Sequence, residues 1–199
     1  MLIFLKEQLV FFATPKTAST AIETTIGSLC EIRLSKNPSV KHTPYRKYKR
    51  FLAPFVATLT DNELDRIAAF REPVDWLGSW YRYRGRPELN GNKNSTQNIS
   101  FDQFIEAYLQ DQPPAFARIG SQAKFVSDKN DTVGMTQLFR YDQMDTMVAF
   151  MAKRLKKQIK LPLANVSPKA KLSLSPALQK ELQNAYTRDF EIYNSINIS

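Results

Sequence analysis

Two short apolar runs, each followed by a polar turn and an amphipathic helix, constrain the fold of this chain more than any other feature. Residues 9–13 lead through TPKTAST into a helix, and residues 67–70 lead through REP into another. Unbroken apolar runs of this length are typical of strands that are covered on both faces. Because such strands alternate with helices along the chain, we expect a three-layer α/β fold with a central, mostly parallel sheet flanked by helices.

The rest of the chain continues the same alternation, with a third strand predicted within residues 133–140. Helical periodicity of the apolar positions is found at 18–29, 44–57, 74–83, 101–108, 142–155 and 176–190. In the second of these helices Thr43 is the predicted N-cap and Phe55 is expected on the buried face, and Ser100 is the predicted N-cap of the helix over 101–108. Residues 84–100 are rich in Gly, Pro, Asn and Ser, which predicts a flexible surface or substrate loop. The chain has 199 residues and no internal repeats, so we expect a single domain over residues 1–199.

The composition restricts the partners and the location of the protein. Lys and Arg outnumber Asp and Glu by 28 to 19, so the formal net charge is +9 and an anionic partner is expected. The single cysteine, Cys30, excludes an internal disulfide, and the single histidine, His42, excludes the common multi-histidine zinc sites, so we expect no metal. The apolar start of the chain is interrupted by Lys6 and Glu7 and is too short to span a bilayer. It is interpreted as a strand, and the expected location is the cytoplasm.

The first junction has the composition of a phosphate-binding loop. A helix N-terminus has unpaired amides and a partial positive charge, which favour anions. Here Lys16 stands beside that terminus, together with the hydroxyls of Thr17, Ser19 and Thr20. The nucleotide-triphosphate pattern GxxxxGK[ST] is absent. The alternative is a capped strand-to-helix turn with a solvent-exposed lysine, and this stretch alone leaves both interpretations open.

The second junction repeats the arrangement. Arg71 follows a buried strand, Pro73 lies in the first turn of the next helix, and Ser79 comes eight residues after Arg71. A guanidinium and a hydroxyl can hold a phosphate-like group by charge-assisted hydrogen bonds. Alternatively, Arg71 pairs with Glu72 or Asp75, and Ser79 is a plain helix residue. Two anion sites at two strand ends predict a ligand that carries two separated anionic groups.

Together, these motifs resemble those of the sulfotransferases that use 3′-phosphoadenosine 5′-phosphosulfate (PAPS). TPKTAST is similar to the 5′-phosphosulfate loop of that family, and FREPVDWLGSWYRY is similar to its 3′-phosphate motif, in the same order. LFRYDQMDTMVAFM and NVSPKAKLSLSP extend the likeness over most of the chain, and the small size and KHTP look most like bacterial carbohydrate sulfotransferases. The resemblance implies a P-loop-like version of the three-layer fold. It also implies direct, in-line sulfuryl transfer to a hydroxyl without a metal, with 3′-phosphoadenosine 5′-phosphate as the product.

The resemblance also implies roles for individual residues. Lys16 would contact the bridging and sulfuryl oxygens and stabilise the leaving group. Arg71 and Ser79 would bind the 3′ phosphate. Asn165 and Ser167 would close over the cofactor, although a plain polar turn is an alternative. The loop around the 5′ phosphate would consist of Pro15, Lys16, Thr17, Ala18, Ser19 and Thr20.

The acceptor side of the predicted site is less specific. His42 has an imidazole whose ordinary pKa suits a general base at neutral pH, and a Lys-His pair before a helix recurs in similar enzymes. Glu23 and Glu72 are alternative bases, and His42 could instead be a surface residue in a basic segment. Arg84 and Gln122, together with His42, are the predicted contacts of the acceptor. The acceptor is expected to be a carbohydrate or a small alcohol.

Two other functions remain open on the sequence alone. A phosphotransferase could use the same loop, although the P-loop pattern and a clear magnesium-binding Asp at a strand end are absent. The net charge and the RKYKR segment suggest a nucleic-acid-binding module, but no docking motif is recognisable and the charge is spread over several elements. The same basic residues could line a cleft for an acidic acceptor or form a solvated helix face. We therefore expect a hydroxyl-bearing acceptor and no nucleic acid as partner.

Overall fold

The structure is a computed structural model that describes residues 1–162 and 172–197. Its strands are β1 (Leu2–Phe4), β2 (Leu9–Phe12), β3 (Ile32–Arg33), β4 (Asp65–Phe70) and β5 (Gln137–Arg140). Its α-helices are α1 (Ser19–Ile26), α2 (Pro38–Lys41), α3 (Tyr45–Lys47), α4 (Ala53–Val56), α5 (Pro73–Arg84), α6 (Phe101–Tyr108), α7 (Gln122–Val126), α8 (Met144–Leu155), α9 (Pro176–Ala185) and α10 (Thr187–Ser195). A π-helical segment occupies Tyr48–Leu52, and single 3₁₀ turns occupy Pro87–Leu89 and Tyr141–Gln143.

The described residues divide into two compact units. The first consists of residues 1–71, 122–162 and 195–197, and the second of residues 72–121 and 172–194. The first unit contains the sheet, and the second is helical. That the whole chain forms one domain stays a prediction.

The two strands that precede the predicted motifs are direct neighbours in the sheet. The strand order is β3-β1-β2-β4-β5, and β4 pairs in parallel with β2 on one side and with β5 on the other. Phe12 lies opposite Ala68, so β2 and β4 end at the same edge of the sheet. The α/β class and the parallel centre of the sheet are confirmed. The P-loop-like version of the fold stays a prediction.

The start of the chain is a hairpin, and its interpretation as one strand was wrong. β1 and β2 pair antiparallel, with Leu2 opposite Phe11, and β3 pairs antiparallel with the other side of β1. The polar residues Lys6 and Glu7 lie in the turn, which closes with Gln8 at a φ of 53° and a bond from its amide to the Leu5 carbonyl. Lys6 and Glu7, whose charges argued against a membrane span, therefore mark the turn of the hairpin.

Helices cover both faces of the sheet in the first unit. Successive strand residues face opposite sides. Phe11 belongs to a core with Ile22 of α1 and Met147 of α8. Phe12 faces the other way, and its ring centroid lies 5.1 Å from that of Tyr48. The predicted flanking of the sheet by helices is thereby confirmed.

The helix predicted over residues 44–57 is interrupted by the π-helical segment. Pro54 has no amide to bond to the carbonyl one turn earlier, and the amide of Ala53 bonds to Tyr48, five residues back. The wider turn shifts the following register, so Phe55, which was expected on the buried face, is 54% exposed. The N-cap is Pro44, while the predicted cap Thr43 donates its hydroxyl to the Val40 carbonyl at 2.7 Å.

The second unit is built from α5, α6, α9 and α10 around its own apolar core, which includes Phe104. Its predicted cap at Ser100 is confirmed, because Ser100 and Gln103 form a reciprocal capping box at the start of α6. The predicted last helix is divided at Tyr186, whose ring stacks on that of Tyr108 at 4.5 Å. In the described part of the chain, no helix combines the length and the apolar character that a membrane crossing would need.

Candidate active site

The loop between β2 and α1 adopts a backbone conformation that its residue types do not favour. Lys16 has a φ of 64° and Ala18 a φ of 55°, so both lie in the left-handed region. For residues other than glycine this region costs about 1–3 kcal/mol, and it persists only where the surroundings impose it. Such residues cluster at ligand-binding sites, and turns of this kind can direct successive amides to one side as an anion-binding concavity.

The first turn of α1 begins without a side-chain cap among the described residues. The N-cap position is Ala18, which has no side-chain oxygen to accept from the helix amides. The hydroxyl of Thr17 donates to the Thr14 carbonyl at 2.9 Å, and this bond stabilises the turn. An uncapped helix N-terminus keeps its partial positive charge and its amide donors for an anion.

A buried hydroxyl lies at the start of the same loop. Thr14 is 0% exposed, and within the described residues its Oγ1 has no hydrogen-bond partner. A buried hydroxyl without a partner costs about 1–3 kcal/mol. The loop therefore carries a second feature, besides its left-handed backbone, that lowers the stability of the protein.

Arg71 connects the end of β4 to this loop. Its Nη1 donates to the Lys16 carbonyl at 3.1 Å, and the guanidinium carbon lies 4.4 Å from the ring centroid of Tyr141. The buried Gln122 holds the Arg71 backbone from both sides, accepting from its amide at 2.9 Å and donating to its carbonyl at 2.8 Å. Sequence reasoning missed Tyr141, because no local pattern links it to an arginine 70 residues earlier.

His42 is hydrogen-bonded to the residue that follows β2. Its Nδ1 lies 2.6 Å from the Ala13 carbonyl, which can only accept, so Nδ1 carries the proton and Nε2 keeps its lone pair in the neutral ring. Burial lowers the pKa of His42 below its usual value, and the charges of Lys41 and Lys16 lower it further, against the opposing effect of the Ala13 hydrogen bond. Burial and these charges therefore favour the neutral imidazole over the charged one.

Nearly the whole chain matches the sequence model of one protein family. That model is described as the sulfotransferase family, and it covers residues 1–194. The chain belongs to the sulfotransferase family. The resemblance predicted from TPKTAST and FREPVDWLGS is therefore confirmed, and sulfuryl transfer is the general reaction of this chain. No curated protein and no solved structure matches the sequence.

In this sulfotransferase, Lys41 is a further cation at the first junction. Its Nζ lies 2.8 Å from Glu23 Oε2 and donates to Thr20 Oγ1 at 2.9 Å, and its side chain is only 12% exposed. Arg33 binds the other oxygen of Glu23 at 2.9 Å. Burial raises the pKa of Glu23, but the hydrogen bonds from Lys41 and Arg33 outweigh it, so the net pKa is lowered. Glu23, considered above as a base, is thus an ionised partner of two cations.

The remaining site residues predicted for this sulfotransferase lie in the second unit or outside the described residues. Ser79 is a buried residue of α5 in the second unit, and its predicted role rests on the sequence motif. Arg84 is also buried in that unit, where it donates to the Ala115 carbonyl at 2.7 Å. Glu72 caps α5 by accepting from the Asp75 amide at 2.7 Å. Asn165 and Ser167 lie outside the described residues.

Proposed function

We propose that this sulfotransferase takes the sulfuryl group from PAPS and transfers it directly to a hydroxyl of a carbohydrate or a small alcohol. The observation that carries the proposal is the hydrogen bond of 3.1 Å from Arg71 Nη1 to the Lys16 carbonyl. It holds a guanidinium from the end of β4 against the loop at the end of β2. A donor with a 3′ phosphate and a 5′ phosphosulfate needs cationic groups in both places.

The residues of the first junction fit the 5′ end of such a donor. The loop offers the ammonium of Lys16 and the uncapped amides that begin α1 at Ser19. Thr17 would contribute through its backbone amide, because its hydroxyl proton is already donated to Thr14. Thr20 accepts from Lys41, so its own hydroxyl proton is available for a phosphate oxygen. Pro15 and Ala18 complete the proposed loop.

The 3′ phosphate is assigned to Arg71 and, on the sequence motif, to Ser79. The stacking of Arg71 on Tyr141 supports this assignment, because it limits the guanidinium to one orientation. Gln122 was predicted to reach the acceptor. Since both ends of its amide are bonded to the Arg71 backbone, we now assign it the support of Arg71 instead.

The proposed mechanism uses two residues of the first unit. PAPS supplies a sulfuryl group that is already attached to a good leaving group. His42 Nε2 takes the proton from the acceptor hydroxyl as its oxygen bonds to sulfur. Lys16 and the first amides of α1 stabilise the negative charge that develops on the departing phosphate oxygen. No step requires a metal, and we expect chelation with EDTA to leave turnover unchanged.

Calorimetry with 3′-phosphoadenosine 5′-phosphate tests the donor assignment. We expect a specific site that Lys16→Ala and Arg71→Ala each weaken about tenfold or more, since each removes a charge-assisted contact. Lys47→Ala is the matched control, because it removes one exposed positive charge outside the loop. If adenosine 5′-phosphate binds as tightly as the 3′,5′-bisphosphate, the role assigned to Arg71 and Ser79 is wrong.

A second measurement separates sulfuryl from phosphoryl transfer and addresses the acceptor. A screen of saccharides and alcohols with sulfur-labelled PAPS should give a labelled sulfate ester. The family match favours this outcome over a kinase activity. Labelled product from ATP and none from PAPS would contradict the proposal.

The cytoplasmic location stays a prediction, to be checked by fractionation of the source cells.

A further inference from the structure

One stretch of the chain carries most of its net positive charge. Residues 32–60 contain seven Lys and Arg residues and no Asp or Glu, against a net charge of +9 for the whole chain. Two of these cations, Arg33 and Lys41, are paired with Glu23, and Lys49 is paired with Asp128 at 3.0 Å. Arg46, Lys47 and Arg50 are exposed on the helical segment from α3 to α4.

The same stretch also concentrates exposed apolar side chains. Of the six large hydrophobic residues that are exposed in the described chain, four lie between residues 32 and 60. Phe51, Phe55 and Leu59 are 61%, 54% and 47% exposed, and they follow one another at intervals of four residues. The π-helical segment contributes to this, because its wide turn shifts the register of the residues after it, so that Val56 is buried and Phe55 is exposed.

We infer that this basic apolar surface, made of Arg46, Lys47, Arg50, Phe51, Phe55 and Leu59, docks on the surface of an anionic lipid bilayer. A helix that carries Phe and Leu beside Lys and Arg binds in the interface plane, with its apolar side chains at the boundary between headgroups and acyl chains. Its cations are attracted to anionic lipids, each adding to the affinity. The segment is too short to cross a bilayer, so it would lie on the membrane.

Charge and width favour a bilayer over the other possible occupants. Three exposed apolar side chains at intervals of four residues offer much less surface area than the roughly 800 Å² per partner that a stable protein interface buries. A nucleic-acid duplex would use the cations but would leave Phe51, Phe55 and Leu59 in water. A bilayer satisfies both features at once. The inference does not depend on the identity of the sulfuryl donor or acceptor.

Vesicle co-sedimentation of the full chain at about 0.15 M salt tests the inference. We expect binding to phosphatidylcholine vesicles that contain about one-third phosphatidylserine, and little binding to phosphatidylcholine alone. Phe51→Ser with Phe55→Ser should weaken binding about tenfold, and so should Arg46→Gln with Lys47→Gln. All four residues are exposed, so thermal unfolding of both variants should match that of the wild type.

A matched control removes the same charge elsewhere. Lys153 and Lys157 are exposed at the end of α8, where the described chain exposes no large hydrophobic residue. Lys153→Gln with Lys157→Gln should therefore leave vesicle binding unchanged. Equal loss in this control would show non-specific electrostatic adsorption and overturn the inference. The inference would also be overturned if the protein did not bind vesicles but bound heparin or DNA, and if the two Phe substitutions did not change that binding.

Discussion

The structure favours one tautomer of His42 and the neutral form of its ring, and the two preferences have separate causes. The hydrogen bond to the Ala13 carbonyl puts the proton on Nδ1, while burial and the charges of Lys41 and Lys16 oppose a second proton. A base needs a free lone pair at the pH of the reaction. An exposed histidine with the same sequence neighbours would offer neither the fixed tautomer nor the lowered pKa.

We predict that His42→Ala lowers kcat by about 10²–10⁴ while leaving the affinity for 3′-phosphoadenosine 5′-phosphate nearly unchanged. In the wild type, kcat/KM should rise with pH through a pKa below the usual 6.5 and stay level at neutral pH. The variant should lack this acidic limb. Turnover that survives the substitution would remove His42 from the mechanism.

The lowered pKa of His42 also affects stability. Because the folded protein binds this proton less readily than the unfolded chain, the unfolding free energy is highest above about pH 6.5 and falls as the pH drops towards the folded pKa. We predict that urea unfolding from pH 7.5 to 5 shows this decrease in the wild type and a smaller one in His42→Ala. Equal slopes in both proteins would mean that the imidazole titrates normally.

Thr14 and Thr17 have the same side chain and opposite energetic roles. Thr17→Val removes the bond to the Thr14 carbonyl and should lower the unfolding free energy by about 1–2 kcal/mol. Thr14→Val replaces a buried hydroxyl that has no partner in the described chain, so stability should stay the same or rise. Each is measured by urea unfolding. A large loss in Thr14→Val would reveal a partner for that hydroxyl.

At the scale of elements, the strand-loop-helix from β2 to α1 is held from outside by two consecutive residues. His42 binds the Ala13 carbonyl after β2, and Lys41 binds Thr20 and Glu23 on α1. Lys41 is the last residue of α2 and His42 is its C-cap, so one short helix end positions the loop and the base together. We interpret Lys41 as a positioning residue that acts through the hydroxyl of Thr20.

A double-mutant cycle tests this interpretation of Lys41. Lys41→Met should weaken binding of 3′-phosphoadenosine 5′-phosphate about tenfold, and this effect should largely vanish in a Thr20→Val background. Arg33→Met is the control, since Arg33 also pairs with Glu23 but is not bonded to Thr20. Additive effects of Lys41→Met and Thr20→Val would show that Lys41 does not act through Thr20.

At the scale of the whole molecule, the chain has two apolar cores in two compact units. Phe11 is fully buried in the first core and Phe104 in the second. The chain leaves the first unit after Arg71 and returns at Gln122, so the units share two connections in this region.

We predict a single cooperative unfolding transition, as the expectation of one domain requires. Phe11→Ala and Phe104→Ala should each lower the unfolding free energy by about 3–5 kcal/mol and shift the same transition. Calorimetry and tryptophan fluorescence should report the same midpoint, since Trp76 and Trp80 both lie in the second unit. Two separate transitions, one moved by each substitution, would contradict the single domain.

Local patterns predicted the elements that carry the site and missed some of their internal details. Strands β2 and β4, helix α1 and the cap at Ser100 follow from residue order within a few positions. The π-helical segment was missed, because one proline gives no indication of whether the helix breaks, kinks or widens. The turn at Lys16 and Ala18 was also missed, since neither residue favours a left-handed backbone.

The sequence by itself determined the alternation of strands and helices and the two motifs of a sulfotransferase, because these depend on periodicity and on residues that are near neighbours in the chain. Only the tertiary structure decided that β2 and β4 are parallel neighbours, that Arg71 bonds to the Lys16 carbonyl, and that Lys41 bonds to Thr20. These contacts join residues that are 21 to 56 positions apart in the sequence. They depend on how the sheet and its helices pack, and no local pattern in the sequence carries that information.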